Sequence, residues 1–298
     1  MVPVVLVGVA VGIGLAAVVV LVMRRRFAAH LDGLERELQR PGSPGGPRTD
    51  LPPEVVALAA PMGARADGTS RFAVFEQTGQ MWPAPGGKPM NFRARQTVRA
   101  DSTAFLWRAT AGLPNGMKIA DYLVGETGGL EVRLPGAFPV ARKVGGADAF
   151  QGEAMRYLAE LPLNPDAILA NRALDWTAVD PKTIKVGTGA GAARGEVTFD
   201  LDDAGLVVRM NAPSRTYAEK DGRSTRHPWR GRFWDYRSIG GRFMPCQGEV
   251  AWVLEAGDFV YWRGRLLNWS DSTELRQKSR LDAARQSYFL REVAPHKP

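Results

Sequence analysis

Val2 to Met23 (VPVVLVGVAVGIGLAAVVVLVM) is a run of 22 residues without a single charge, and no other feature limits the fold of this chain so sharply. At about 1.5 Å rise per residue a helix over it spans roughly 33 Å, enough to cross a hydrocarbon core of about 30 Å. The run ends in Arg24, Arg25 and Arg26. Each arginine would cost about 2.5–3.5 kcal/mol at the bilayer centre, so the triplet marks where a span must stop. A cleaved signal peptide has its basic residues before a shorter apolar run and small residues at a cut site; here the basic residues follow a long one. Residues 1–26 are therefore expected to be a single-pass transmembrane anchor in the cell membrane. By the positive-inside rule the arginine flank favours a cytoplasmic position for everything after it, with an extracytoplasmic domain as the alternative.

Phe27 to Arg40 (FAAHLDGLERELQR) places Phe27, Leu31, Leu34 and Leu38 at steps of three and four, the spacing of a short amphipathic helix. It reads as a juxtamembrane stalk, because Asp32, Glu35 and Glu37 argue against a helix lying on headgroups. Pro41 to Pro53 (PGSPGGPRTDLPP) cannot sustain helix or sheet and reads as a linker, so residues 27–53 separate the anchor from a domain over 54–269. A short helix over Glu54 to Ala60 opens that domain, and residues 270–298 form a polar tail, partly helical at best.

From residue 70 the apolar period changes from 3.6 to 2. RFAVFEQ (71–77), NFRARQTVR (91–99) and TAFLWRA (103–109) alternate apolar with polar residues, the mark of sheet with one wet face. WPAPGGKP (82–89) and AGLPNG (111–116) supply turns between them, and further strands are expected over 118–124, 129–134 and 138–142. Phe150 to Leu161 (FQGEAMRYLAEL) interrupts as a helix stopped by Pro162, and a second helix starts with Asn164 as cap and Pro165 in its first turn. After Trp176 strands resume, the last over 258–267. With 45% hydrophobic residues there is material for a sizeable core. The fold expected is mainly β (α+β): a curved antiparallel sheet or open barrel with a central helical insert, preceded by one transmembrane helix.

The runs FEQTGQM (75–81), NFRARQTV (91–98), FLWRA (105–109), DYLVGETGGLEV (121–132), RYLAELPLNP (156–165) and WRGRFWDYRSIGGRFMPCQGEVAW (229–252) together resemble an uncharacterised bacterial family of membrane-anchored proteins. The strand-rich opening around FEQTG is also distantly similar to lipoprotein-carrier folds of the LolA and LolB type. That second resemblance implies a half-barrel holding acyl chains in an apolar hollow.

The chain's chemistry narrows the function further. Its net charge is +8, from 39 basic and 31 acidic residues, which favours anionic lipid headgroups or nucleic acid. Arginine is abundant everywhere, so the basic stretch around 205–245 is a poor mark of nucleic acid, and a membrane-facing surface fits the anchor better. One cysteine, Cys246, forms no internal disulfide, and three histidines give little material for a zinc site or a Ser-His-Asp arrangement. No metal and no cofactor is expected. Asp200 to Gly205 (DLDDAG) has the look of a calcium loop but lies between strands and reads as a hairpin turn.

Two clusters are candidates for ligand contact. On the helix at 150–161, Arg156 and Glu160 share a face with Tyr157 beside them; they form either an intrahelical ion pair or a polar site for a ligand head. Asp235 and Tyr236 lie among Arg230, Arg232 and Arg237, as a salt-bridged carboxylate or a headgroup site. Trp107 and Trp252 belong to an aromatic set that fills a core or lines a pocket. The function expected is a membrane-tethered, non-catalytic binding protein for a lipid or other amphipathic ligand. The alternatives are an enzyme using Glu160 or Asp235 as general base, or a structural or assembly partner at the membrane.

Overall fold

The computed structural model describes residues 2–40, 48–67, 69–112, 116–219 and 223–277, with side chains from residue 12 onward. Most of the linker, the centre of the 111–116 turn and the tail beyond 277 lie outside the described residues, as do the side chains of the first half of the apolar run. A single helix, α1, runs from Val2 to Leu38, so the apolar run, the arginine triplet and the amphipathic stretch share one axis. Among the described residues no helix is long and apolar enough to cross a membrane.

A short helix, α2 (Pro53–Ala59), leads into thirteen strands joined in one antiparallel sheet. The first six are β1 (Phe72–Met81), β2 (Met90–Arg99), β3 (Phe105–Ala111), β4 (Met117–Val124), β5 (Thr127–Leu134) and β6 (Phe138–Val144). They form a meander outward from the middle of the sheet to one edge. Two helices, α3 (Ala147–Ala159) and α4 (Pro165–Ala170), then carry the chain to the other edge. There β7 (Asp175–Asp180), β8 (Thr183–Thr188), β9 (Gly195–Leu201), β10 (Val207–Ala218), β11 (Ser224–Ile239), β12 (Arg242–Leu254) and β13 (Gly257–Asp271) meander back. The last strand pairs with the first, Phe75 opposite Trp269 and Thr78 opposite Arg265. The sheet curves into a half-barrel, with β6 and β7 as open edges.

The alternation in sequence sets which side chains enter the curve. On β3, Phe105, Trp107 and Ala109 are buried on the concave side, and on β2 Phe92, Ala94 and Val98 join them. The insert fills part of that concavity: α3 packs against β4 and β5 on one wall and β8, β9 and β10 on the other. Gly128 and Gly195 permit this approach, since a Cβ at the first would sit 2.8 Å from Ala149 O and at the second 2.9 Å from Met155 Cγ. Asn164 precedes α4 as expected but makes no side-chain cap; its amide donates to Arg99 O instead, at 2.8 Å. Helix α4 is pinned from below by Arg242 of β12, whose Nε and Nη2 donate to the two oxygens of Asp166 at 2.8 and 2.7 Å with both side chains buried.

The convex face has a partner too. Phe27, Leu31 and Leu38 of α1 bury against Ala104, Leu106, Ala120, Tyr122 and Val124 on the outer side of β3 and β4. The acidic residues of the stalk meet strand arginines: Asp32 with Arg108 at 2.9 Å and Glu35 with Arg95 at 2.9 Å. The amphipathic half of α1 is thus a layer packed on the sheet, which lies between it and α3.

Candidate functional site

The insert leaves a hollow of about 500 Å³ inside the curve, within the range of roughly 300–1,000 Å³ usual for small-molecule sites. Its walls are mostly apolar. Met81, Met90, Met117, Ile119 and Val132 face it from the first meander, and Met210, Phe233, Val250, Trp262 and Leu266 from the second. Phe92 stacks on Trp262 with ring centres 5.7 Å apart, and Phe92 and Trp107 meet edge to face at 5.6 Å, so the aromatic wall is rigid.

Polar groups gather at one end. Arg156 of α3 is paired with Asp121 of β4 and with Glu160, its Nε donating to Glu160 Oε1 at 3.1 Å. Its guanidinium lies 5.0 Å from the Trp107 ring centre and 5.1 Å from that of Phe105. Gln96 donates to the other Glu160 oxygen at 2.5 Å, and Trp107 Nε1 donates to Gln77 Oε1 at 2.9 Å. Burial opposes the charge on Arg156, but Asp121, Glu160 and Glu153 more than offset it and raise its pKa. Glu153, one helical turn earlier, is buried, and desolvation first and Asp121 second push its carboxyl well above the usual value. That shift favours the neutral acid at Glu153, beside Asp121. Asp121 Oδ1, Gln96 Oε1 and Glu153 Oε2 have no conventional donor among the described residues.

A second cation enters from β10. Arg215 lies 4.3 Å from the Trp229 ring centre, donates to Gly152 O at 2.9 Å and lines the hollow with Tyr261. Tyr261 OH accepts from Trp229 Nε1 at 3.1 Å.

The residues singled out in the sequence separate here. Trp107, Arg156 and Glu160 line the hollow. Tyr157 points the other way from α3 into the core, where its hydroxyl donates to Arg99 O and accepts from Asn171, each at 3.0 Å. Trp252 packs behind the wall against Tyr217 and Tyr261. Tyr236 donates to Val207 O at 2.7 Å, away from the hollow. Asp235 adopts φ 60°, a left-handed conformation that Asp tolerates, and the pairing of β11 with β12 steps over it from Trp234 to Tyr236. Hydrogen bonds from Gln247 and then Arg237 lower its pKa, the reverse of what a general base at neutral pH needs.

Asp121, Glu153, Gln77, Gln96 and Arg215 complete the polar end and were not singled out in the sequence. Three of them carry a signal: Asp121 lies between Ile119 and Leu123, Gln96 between Ala94 and Val98, and Gln77 two after Phe75, each a polar residue at an inward position of an apolar alternation.

The fold and hollow together define a half-barrel with an apolar interior and a charged end. The chain belongs to a family of unknown function, DUF6544, whose profile matches residues 48–264. No curated protein matches it. It is similar to a LolA superfamily protein from Nitrosomonas europaea at 12% identity and a TM-score of 0.38, over 73% of this chain and 91% of the other. A DUF1329 family protein from Desulfovibrio piger is similar at 14% identity and a TM-score of 0.42, over 74% and 90%. A putative outer membrane lipoprotein-sorting protein domain from Vibrio parahaemolyticus is similar at 8% identity and a TM-score of 0.39, over 68% and 86%.

Proposed function

We propose that this protein is a membrane-tethered, non-catalytic binding protein for a single-chain or similarly slim amphipathic ligand. The observation that carries the reading is the hollow of about 500 Å³, apolar along its length and polar at the Arg156 end. An alkyl chain placed among Met81, Met90, Ile119, Val250 and Leu266 gains about 0.8 kcal/mol for each methylene removed from water. The polar end has a definite sense. Arg156 faces the carboxylates of Asp121 and Glu160, and spare acceptor atoms remain on Asp121 and Gln96. A head group rich in hydroxyl, amide or ammonium donors fits there better than a second anion.

The tether in this reading is the uncharged stretch of α1, and the arginine triplet favours a cytoplasmic domain over an extracytoplasmic one. The test is native mass spectrometry of the full chain purified in mild detergent, followed by solvent extraction of whatever is bound. One amphipathic molecule per chain is the expected result. A chain that is folded, empty and indifferent to fatty acids, lysolipids and acyl amines would overturn the reading.

A further inference from the structure

The first charged residue after the apolar run contacts the sheet at the β5–β6 hairpin, whose strands also contribute to the hollow. Arg24 of α1, the first charge after the apolar run, donates from Nε to Pro135 O at 2.7 Å. Pro135 lies in the turn between β5 and β6. Gly136 of that turn has φ 84°, and a Cβ on it would lie 3.3 Å from Lys118 Cγ and 3.7 Å from Arg24 Cγ. Next along the helix, the Phe27 ring sits 4.2 Å beneath the Arg133 guanidinium. The tip of this hairpin is therefore fixed at the level of the arginines that would mark the end of a span.

The hairpin also exposes several large apolar side chains. Leu134, Phe138 and Val140 are 40%, 49% and 54% exposed. A folded protein in water normally covers such a group. Around it stand Arg24, Arg25, Arg26, Lys118, Arg142 and Lys143, all exposed. Cations around apolar side chains complement the anionic headgroups and acyl boundary of a bilayer.

The apolar stripe leads inward. Leu130, Val132 and Leu134 alternate on the concave side of β5, and Leu134 pairs with Phe138 while Val132 pairs with Ala141. Leu130, Val132 and Ala141 line the hollow. The extra residue of β6, Val140, is accommodated where the register shifts, so the alternation of β5 is unbroken.

We propose that the β5–β6 tip enters the headgroup layer of an anionic bilayer, and that Leu134 and Phe138 are the lip over which the ligand passes between bilayer and hollow. This rests on the membrane-tethered binding reading above. It also explains why an edge strand is left with six successive exposed residues, since lipid covers them.

Two measurements on the full chain in vesicles of phosphatidylcholine and phosphatidylglycerol test it. Cys246 is buried, so a spin label directed to Phe138→Cys reports that position, with Val179→Cys on β7 at the opposite edge as the comparison. The label at 138 is expected to be reached by oxygen and shielded from a water-soluble nickel chelate, and that at 179 the reverse. Equal exposure of both to the chelate would overturn the docking. The double variant Leu134→Ser, Phe138→Ser is then expected to load a fluorescent acyl amine from the vesicles about tenfold more slowly or worse, with the final extent unchanged. An unaltered rate would overturn the lip. A wild-type chain that takes up no acyl probe at all would sink the binding reading, while the label depth would still decide whether the tip docks.

Discussion

Glu153 sits where a carboxylate is costly: buried on α3, facing Asp121, with its proton retained because ionisation would set two anions side by side. Its effect on stability has a definite sign. Below the ordinary value of 4.5 the group is protonated whether the chain is folded or not, and it contributes no pH dependence. As pH rises past that value the unfolded chain releases the proton while the folded one keeps it, so stability falls until the raised folded value is passed, by at most about 1.4 kcal/mol per pH unit. Glu153→Gln removes the titration and keeps a donor toward Asp121. The variant should therefore gain on the wild type in urea midpoint as pH rises above about 4.5. A constant difference across that range would mean that Glu153 is ionised in the fold. Its neighbours show how far the sequence reaches at this scale. Arg156 and Glu160 are legible because helical spacing brings residues four apart together. Asp121 comes from a strand 35 positions earlier, and only the fold brings it to Arg156.

Among the elements, the amphipathic half of α1 shows what periodicity can and cannot supply. Phe27, Leu31, Leu34 and Leu38 define an apolar face in the sequence, but the surface that covers it is the outer side of β3 and β4, which becomes visible only when Leu106, Ala120 and Tyr122 are seen to share one face. Two of the acidic residues that argue against a headgroup-bound helix, Asp32 and Glu35, have protein partners, with Thr97 Oγ1 donating to Glu35 at 2.5 Å beside Arg95. Leu38 is nearly fully buried and has no polar role, so truncating it isolates the docking. Leu38→Ala should lower the opening free energy of amides 27–38 by about 2–5 kcal/mol in hydrogen exchange, with the strands of the second meander untouched. If exchange in 27–38 stays the same, the helix is held by its ion pairs alone. The strands were legible where they alternate, as in NFRARQTVR, because one face is wet. In β11 Asp235 adopts a left-handed conformation without shifting the register with β12, which no alternation in the sequence announces.

For the whole molecule, two meanders leave from the same seam and end at opposite edges, and the α3–α4 insert carries the chain from one to the other. The β1–β13 pairing that makes the seam joins residues nearly 200 positions apart, which no local pattern encodes. A curved sheet with a helical insert could thus be anticipated from strand count and turn spacing, whereas an open hollow and a filled core have the same sequence signature of inward aromatics. The structure places Trp252 in packed core and Trp107 on the hollow's wall, though both read alike in sequence. That distinction is testable by adding volume. Val250, half-buried on β12, faces the hollow from the wall opposite Ile119. A larger side chain in packed core costs about 1–3 kcal/mol in strain. Val250→Trp placed in free space should instead leave the thermal midpoint within a few degrees of wild type while abolishing uptake of an acyl probe. A variant that unfolds early would mean that the wall cannot yield and the space is too small for a chain. One that stays stable and still binds would place the ligand elsewhere on the protein.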